Sequence, residues 1–147
     1  MSKAVLSERI ETWRLSGHPE EFRGHQIHTF FQEGEGPLLI LLHGFPTSSY
    51  DWRETIRMMP DRRLLAFDFL GFGLSDKPRD HNYTLSWQAD LTEKLAARHR
   101  DGEPVYVCAH DLGTSVATEL LARDLVGELG FELCGMTIFN GSILVEK

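Results

Sequence analysis

The sequence predicts a parallel α/β sheet with helices on both faces, and three observations carry that expectation. Pro37 to Leu42, Arg63 to Phe69, Val105 to Ala109 and Leu133 to Asn140 are apolar along most of their length instead of alternating. That is the pattern of parallel strands covered on both sides. Helix-like segments separate these runs, so strands and helices alternate along the chain. The segments with the most unusual residue types, His43 to Pro46, Gly71 to Pro78 and Ala109 to Gly113, each follow one of the first three runs. Ligands bind beyond the carboxyl ends of the strands in sheets of this kind, so three distant motifs converge on one rim.

Taken in order, a polar leader comes first, and Phe22 to Phe31 then reads as a hairpin turning at Gly24-His25, with Ile27, Thr29 and Phe31 alternating against His28 and Phe30. Pro37 to Leu42 opens the centre of the sheet. Ser48 to Pro60 reads as a loop and helix, Arg63 to Phe69 as the next buried strand, and Leu85 to Arg98 as an amphipathic helix. After the strand Val105 to Ala109, the segment Leu112 to Val126 is helical, with Val116, Leu120 and Leu121 on its core stripe. Leu133 to Asn140 closes the series as a fourth apolar strand. Residues 1–147 hold no repeat or linker and form part of one domain.

The composition, 41% hydrophobic and 25% charged, is that of a globular domain. Fifteen basic against 22 acidic residues give a net charge of −7, which repels phosphate backbones and anionic lipid surfaces. Nucleic-acid and membrane partners are therefore not expected. The longest apolar run, Leu38 to Leu42, is far too short to span a bilayer, and Met1-Ser2-Lys3-Ala4 leads into charged Glu8, Arg9 and Glu11 instead of a secretory segment, so a cytoplasmic location is expected. Cys108 and Cys134 lack redox or metal-ligand spacing and read as buried thiols. The histidines His18, His25, His28, His81 and His99 read as solvated or structural residues, and no metal site is expected.

Function is concentrated at Asp111, where the run Val105 to Ala109 meets the helix opening at Leu112. Small residues two positions to either side, Ala109 and Gly113, fit a very tight strand-to-helix turn that pushes the intervening side chain out of the sheet top. A plain helix N-cap explains an aspartate there but not the small flanking residues. In the loop His43-Gly44-Phe45-Pro46 the glycine permits a sharp turn and the proline fixes the exit direction, so the Phe45 amide can point inward. Together with the Leu112 amide it would form an oxyanion hole. Gly71 to Pro78 lacks the third glycine of a dinucleotide loop and the lysine of a P-loop, and reads as a compact turn in which Ser75 and Asp76 bond local backbone. His110 is a poor base for Asp111, because adjacent residues at a tight corner point apart, and His43 reads as held by loop hydrogen bonds.

Together, His43-Gly44-Phe45-Pro46, the Gly71 to Pro78 run and Ala109-His110-Asp111-Leu112-Gly113 resemble the N-terminal half of an α/β-hydrolase of the epoxide hydrolase and haloalkane dehalogenase group. Leu41 to Trp52 and Asp68 to Gly73 are also similar to the mesoderm-specific transcript branch. The resemblance implies an ionised Asp111 attacking a small apolar electrophile to give an alkyl ester, which water hydrolyses while the Phe45 and Leu112 amides hold the oxyanion. It implies no cofactor. Dehalogenases of this group carry a tryptophan after the nucleophile to bind the halide, and epoxide hydrolases usually carry one too but draw their leaving-oxygen donors from tyrosines of a lid; Leu112 stands there, which by this resemblance favours epoxides over haloalkanes. Asn140 stands where some dehalogenases carry the acid that orients the histidine. The lid, the histidine and its acid would then come from a complementary C-terminal segment or chain. A binding or scaffold protein that keeps the fold without the chemistry is the rival reading.

Overall fold

A computed structural model of the chain describes residues 7–141; residues 1–6, part of the leader used above to argue location, lie outside them. The elements are α1 (Glu8–Ser16), β1 (His18–Phe22), β2 (His25–Gln32), β3 (Glu35–Leu42), a 3-10 turn (Ser49–Trp52), α2 (Arg53–Arg57), β4 (Arg62–Phe67), α3 (Leu85–His99), β5 (Val105–His110), α4 (Leu112–Leu125) and β6 (Leu133–Phe139). Six strands form one sheet in the order β1-β2-β4-β3-β5-β6. The pairs β4-β3, β3-β5 and β5-β6 are parallel, whereas β1-β2 and β2-β4 are antiparallel. The sheet is mixed but mostly parallel, with three parallel pairs and two antiparallel ones.

Its centre shows why continuous apolar strands signal two covered faces. Along β3, Leu38, Ile40 and Leu42 face one layer, where Leu65, Phe67, Val105 and Val107 meet Leu91 and Leu95 of α3 and Val116 and Leu120 of α4. The alternate residues Leu39 and Leu41 face the other layer, with Leu64 and Ala66 against Trp13, Trp52 and Ile56. Each fully buried leucine contributes about 1.5–3 kcal/mol of transfer free energy, which makes this double-sided strand the anchor of the domain.

Four expectations need correction. The leader contains α1, capped by Ser7, whose Oγ accepts from Ile10 N; only Trp13 of this helix is buried, so no amphipathic stripe marks it. The hairpin turns at Arg23-Gly24, both with positive φ (50° and 82°), because Phe22 pairs with His25. A two-residue turn with both centres left-handed matches the twist of the flanking strands. Leu121 lies off the core stripe of α4 and is exposed, while Val116 and Leu120 are fully buried. The cysteines are not both buried: Cys108 is half-buried, its thiol pKa raised by that burial, and Cys134 is exposed on β6, whose outer edge has no strand partner among the described residues.

Candidate active site

The backbone turns from β5 into α4 at one residue, Asp111, held at φ 51° and ψ −116°. An L-residue pays strain for that conformation, so the surroundings must hold it in place. They do so by close approach. A Cβ on Gly113 would lie 2.5 Å from the Leu42 carbonyl oxygen and 2.8 Å from that of His43; a Cβ on Gly44 would lie 2.7 Å from the Asp111 Cβ. Fully buried Ala109 completes the small-residue frame around the corner. The end of β3 thus packs directly against the start of α4, a contact that only glycine allows.

This approach delivers two backbone amides to one oxygen. Phe45 N donates to Asp111 Oδ1 at 2.8 Å, and Leu112 N donates to the same atom at 2.6 Å. Asp111 Oδ2 accepts no hydrogen bond among the described residues. The Phe45 amide, followed by that of Leu112, holds the Asp111 carboxyl below its ordinary value of 3.8 and so keeps it charged. An ordinary N-cap uses extended backbone and reaches the second or third amide of its helix; Asp111 has neither feature.

The loops around the corner are held by buried groups. His43, 1% exposed, donates from Nδ1 to Gly44 O at 2.8 Å and accepts at Nε2 from Phe69 N at 3.0 Å. Both ring nitrogens are spent, and burial lowers its pKa, so the ring is a neutral strut. Pro46 follows a cis peptide bond with Phe45. Asp68, equally buried, accepts from Ser49 N and Ser49 Oγ at Oδ1 and from Leu74 N at Oδ2, joining the loop after β4 to the loop after β3. The tying role of Asp68 is not read from the sequence, where the residue stands near the end of the apolar run Arg63 to Phe69 and opens the Asp68 to Gly73 motif. Ser75 bonds local backbone as expected, its Oγ donating to Asp68 O at 2.7 Å, whereas the Asp76 carboxylate does not. Ser75 Oγ accepts from His28 N and Asp76 Oδ2 accepts from Gln26 N, so the Gly71 to Pro78 turn is pinned across to β2.

Next to the corner lies a pocket of about 460 Å³ lined by Phe45, Phe72, Leu85, Leu112 and Val116, with Tyr83, Thr84 and Gln88. The polar groups of those last three are committed elsewhere. Tyr83 OH donates to Pro78 O, Thr84 Oγ1 caps α3, and Gln88 bonds both backbone groups of Leu70. What the pocket presents is therefore apolar. His110 turns from Asp111 toward β6, where its Nε2 is hydrogen-bonded to Asn140 Nδ2 at 3.3 Å and its ring lies against Phe139. Among the described residues, no helix is long and apolar enough to cross a membrane.

Residues 37–128 match the family model described as alpha/beta hydrolase fold. LipZ of Mycobacterium tuberculosis, which carries the name of a hydrolase, is 44% identical over 97% of this chain and 49% of its own length. The mesoderm-specific transcript protein of Mus musculus is 38% identical over 96% of the chain and 44% of its own. Among solved structures, the epoxide hydrolase CorEH superposes with a TM-score of 0.72 at 28% identity, covering 85% of this chain and 42% of CorEH. Haloalkane dehalogenases superpose at TM-scores of 0.66 to 0.68. The chain spans about half the length of the curated relatives it matches.

Proposed function

The chain belongs to the α/β-hydrolase fold family, and we propose that it acts there as a hydrolase whose nucleophile is Asp111 and whose substrate is a small apolar epoxide. The observation that carries this reading is the asymmetry of the Asp111 carboxylate, with Oδ1 clamped by two amides and Oδ2 without a partner among the described residues.

In the first step Oδ2 attacks an epoxide carbon, the C–O bond of the ring breaks, and the released alkoxide takes up a proton. The carboxylate is charged at neutral pH and needs no base to activate it. The product is an alkyl ester on Asp111. In the second step water adds to Cγ, the ester carbonyl Oδ1 becomes the oxyanion, and the Phe45 and Leu112 amides already point at it. Removing one such donor costs about 3 kcal/mol of transition-state stabilisation. Collapse of the intermediate releases the diol and restores the carboxylate. His43 is ruled out as the base that deprotonates this water by its spent ring nitrogens, and His110 by its turn toward Asn140. We place that base, with its orienting acid and the lid, in a complementary C-terminal segment, in keeping with relatives about twice as long.

The apolar pocket beside Phe45 and Leu112 supports an apolar substrate. A haloalkane would need a donor for the leaving halide at the position after the nucleophile, and the Leu112 side chain offers none, which ranks epoxides ahead.

The test is intact mass spectrometry of the chain after incubation with a panel of aryl and alkyl epoxides and alkyl halides. Without the base, hydrolysis stalls and an adduct of one reagent mass accumulates on the wild type, epoxides giving more than halides. Asp111→Asn keeps an amide oxygen to accept from the Phe45 and Leu112 N–H groups but has no nucleophilic carboxylate, and shows no adduct. A folded wild type that stays unmodified across the panel, or an adduct that survives Asp111→Asn, overturns the assignment and leaves a binding protein of the same fold.

A further inference from the structure

We propose that His18, Glu20 and His99 form a binding site for a first-row divalent metal ion, zinc above all, at the end of α3 remote from Asp111. One ligand atom from each lies within 4.8 Å of the others. Glu20 Oε2 is the common point, 2.6 Å from His99 Nε2 and 3.3 Å from His18 Nε2. Tetrahedral zinc with bonds near 2.0–2.1 Å sets its ligand atoms about 3.3 Å apart, so the His18–Glu20 edge has the required length and the His99–Glu20 edge opens by less than about an ångström.

The three side chains are held for the task by their elements. His18 and Glu20 alternate along β1 and so project to the same face, toward the last turn of α3, which carries His99. Phe31 of β2 packs on the His99 ring at 4.3 Å between centroids and fixes its orientation. Arg98 takes the other oxygen, Glu20 Oε1, at 3.2 Å and also donates to Glu21 O at 2.8 Å, leaving Oε2 to face the two imidazoles. Partners of this kind, which orient a carboxylate ligand without touching the ion, are a regular part of metal sites. The Glu20 and His99 side chains are 11% and 14% exposed, whereas that of His18 is 53% exposed, so one side remains open for entry and for a water ligand. Two imidazoles and one carboxylate suit zinc, cobalt, nickel or copper and suit magnesium poorly. The site lies one length of α3, about 22 Å, from the pocket at the start of that helix, which makes it a clamp between β1 and α3 and not part of the Asp111 chemistry.

Zinc chloride titrated into the chain at neutral pH, followed by calorimetry, is expected to bind one ion per chain and to raise the unfolding midpoint, with magnesium silent. His18→Gln and His99→Gln each weaken zinc binding by about tenfold or more, and the visible absorption of bound cobalt disappears in both. His18 is exposed, so His18→Gln keeps the metal-free unfolding midpoint of the wild type and separates lost binding from lost folding. Equal zinc affinity in the wild type and His18→Gln, or no uptake by the wild type, overturns the proposal and leaves Glu20 as an ion-pair partner of His99 and Arg98.

Discussion

Asp111 combines a strained backbone with a one-sided hydrogen-bond pattern, and each has a separate consequence. Because amide donation keeps its carboxyl pKa below the usual value of 3.8, ester formation is expected to proceed at an unchanged rate from about pH 8 down to about pH 5. Timed mass spectrometry of the adduct checks this; a rate that falls with a midpoint near neutrality would point to a histidine as the attacking group. The strain depends on Gly113. Gly113→Ala would press a methyl against two backbone carbonyls that cannot yield, costing about 1–3 kcal/mol as read from the urea midpoint, with loss of the adduct. A second pH effect belongs to His28 and His43, whose pKa values burial lowers from the ordinary 6.5. The unfolded rings take up protons that the folded ones resist. Their contribution to stability is therefore complete above about pH 6.5 and is lost as pH falls toward the lowered values. Denaturant midpoints that stay level between about pH 8 and pH 5.5 would contradict the buried, neutral state of both rings.

At the level of elements, the corner is held in place because loops after three parallel strands are tied together by hydrogen-bonded side chains. Asp68 is the central tie. Asp68→Ala would leave Ser49 N, Ser49 Oγ and Leu74 N without an acceptor in a buried place, and a loss of about 3 kcal/mol is expected from chemical denaturation. The helices are joined by Arg123 of α4, which bonds Asp90 and Glu93 of α3 and Glu119 of its own helix; although burial alone would lower its pKa, these partners raise it above the normal arginine range. Its side chain is 15% exposed and its partners more so. The expected loss for Arg123→Met is accordingly about 1–2 kcal/mol, with an unchanged denaturant slope. The elements themselves were legible where pattern and burial coincide: Leu38 to Leu42 announces β3, and the amphipathic pattern from Leu85 to Arg98 announces α3. Helix α1 escaped because one buried tryptophan in nine residues leaves no periodic signal.

Across the whole molecule, the sheet runs from an antiparallel edge at β1 to a parallel edge at β6, where Ile138 and Phe139 are each about two-fifths exposed. That edge has no strand partner among the described residues. Residue types and their periodicity determined the layered α/β plan, the placing of its three loops at strand ends, and the choice of Asp111, since each of these is written within a few neighbouring positions. Only the folded chain decided which amide meets which oxygen, that Asp68 ties the loops after β3 and β4, and that His18 and Glu20 come to rest beside His99. The contacts of Phe45 with Asp111, Ser49 with Asp68 and Glu20 with His99 join residues 19 to 79 positions apart, and their geometry is fixed by strand register and helix packing, which no local stretch of sequence encodes.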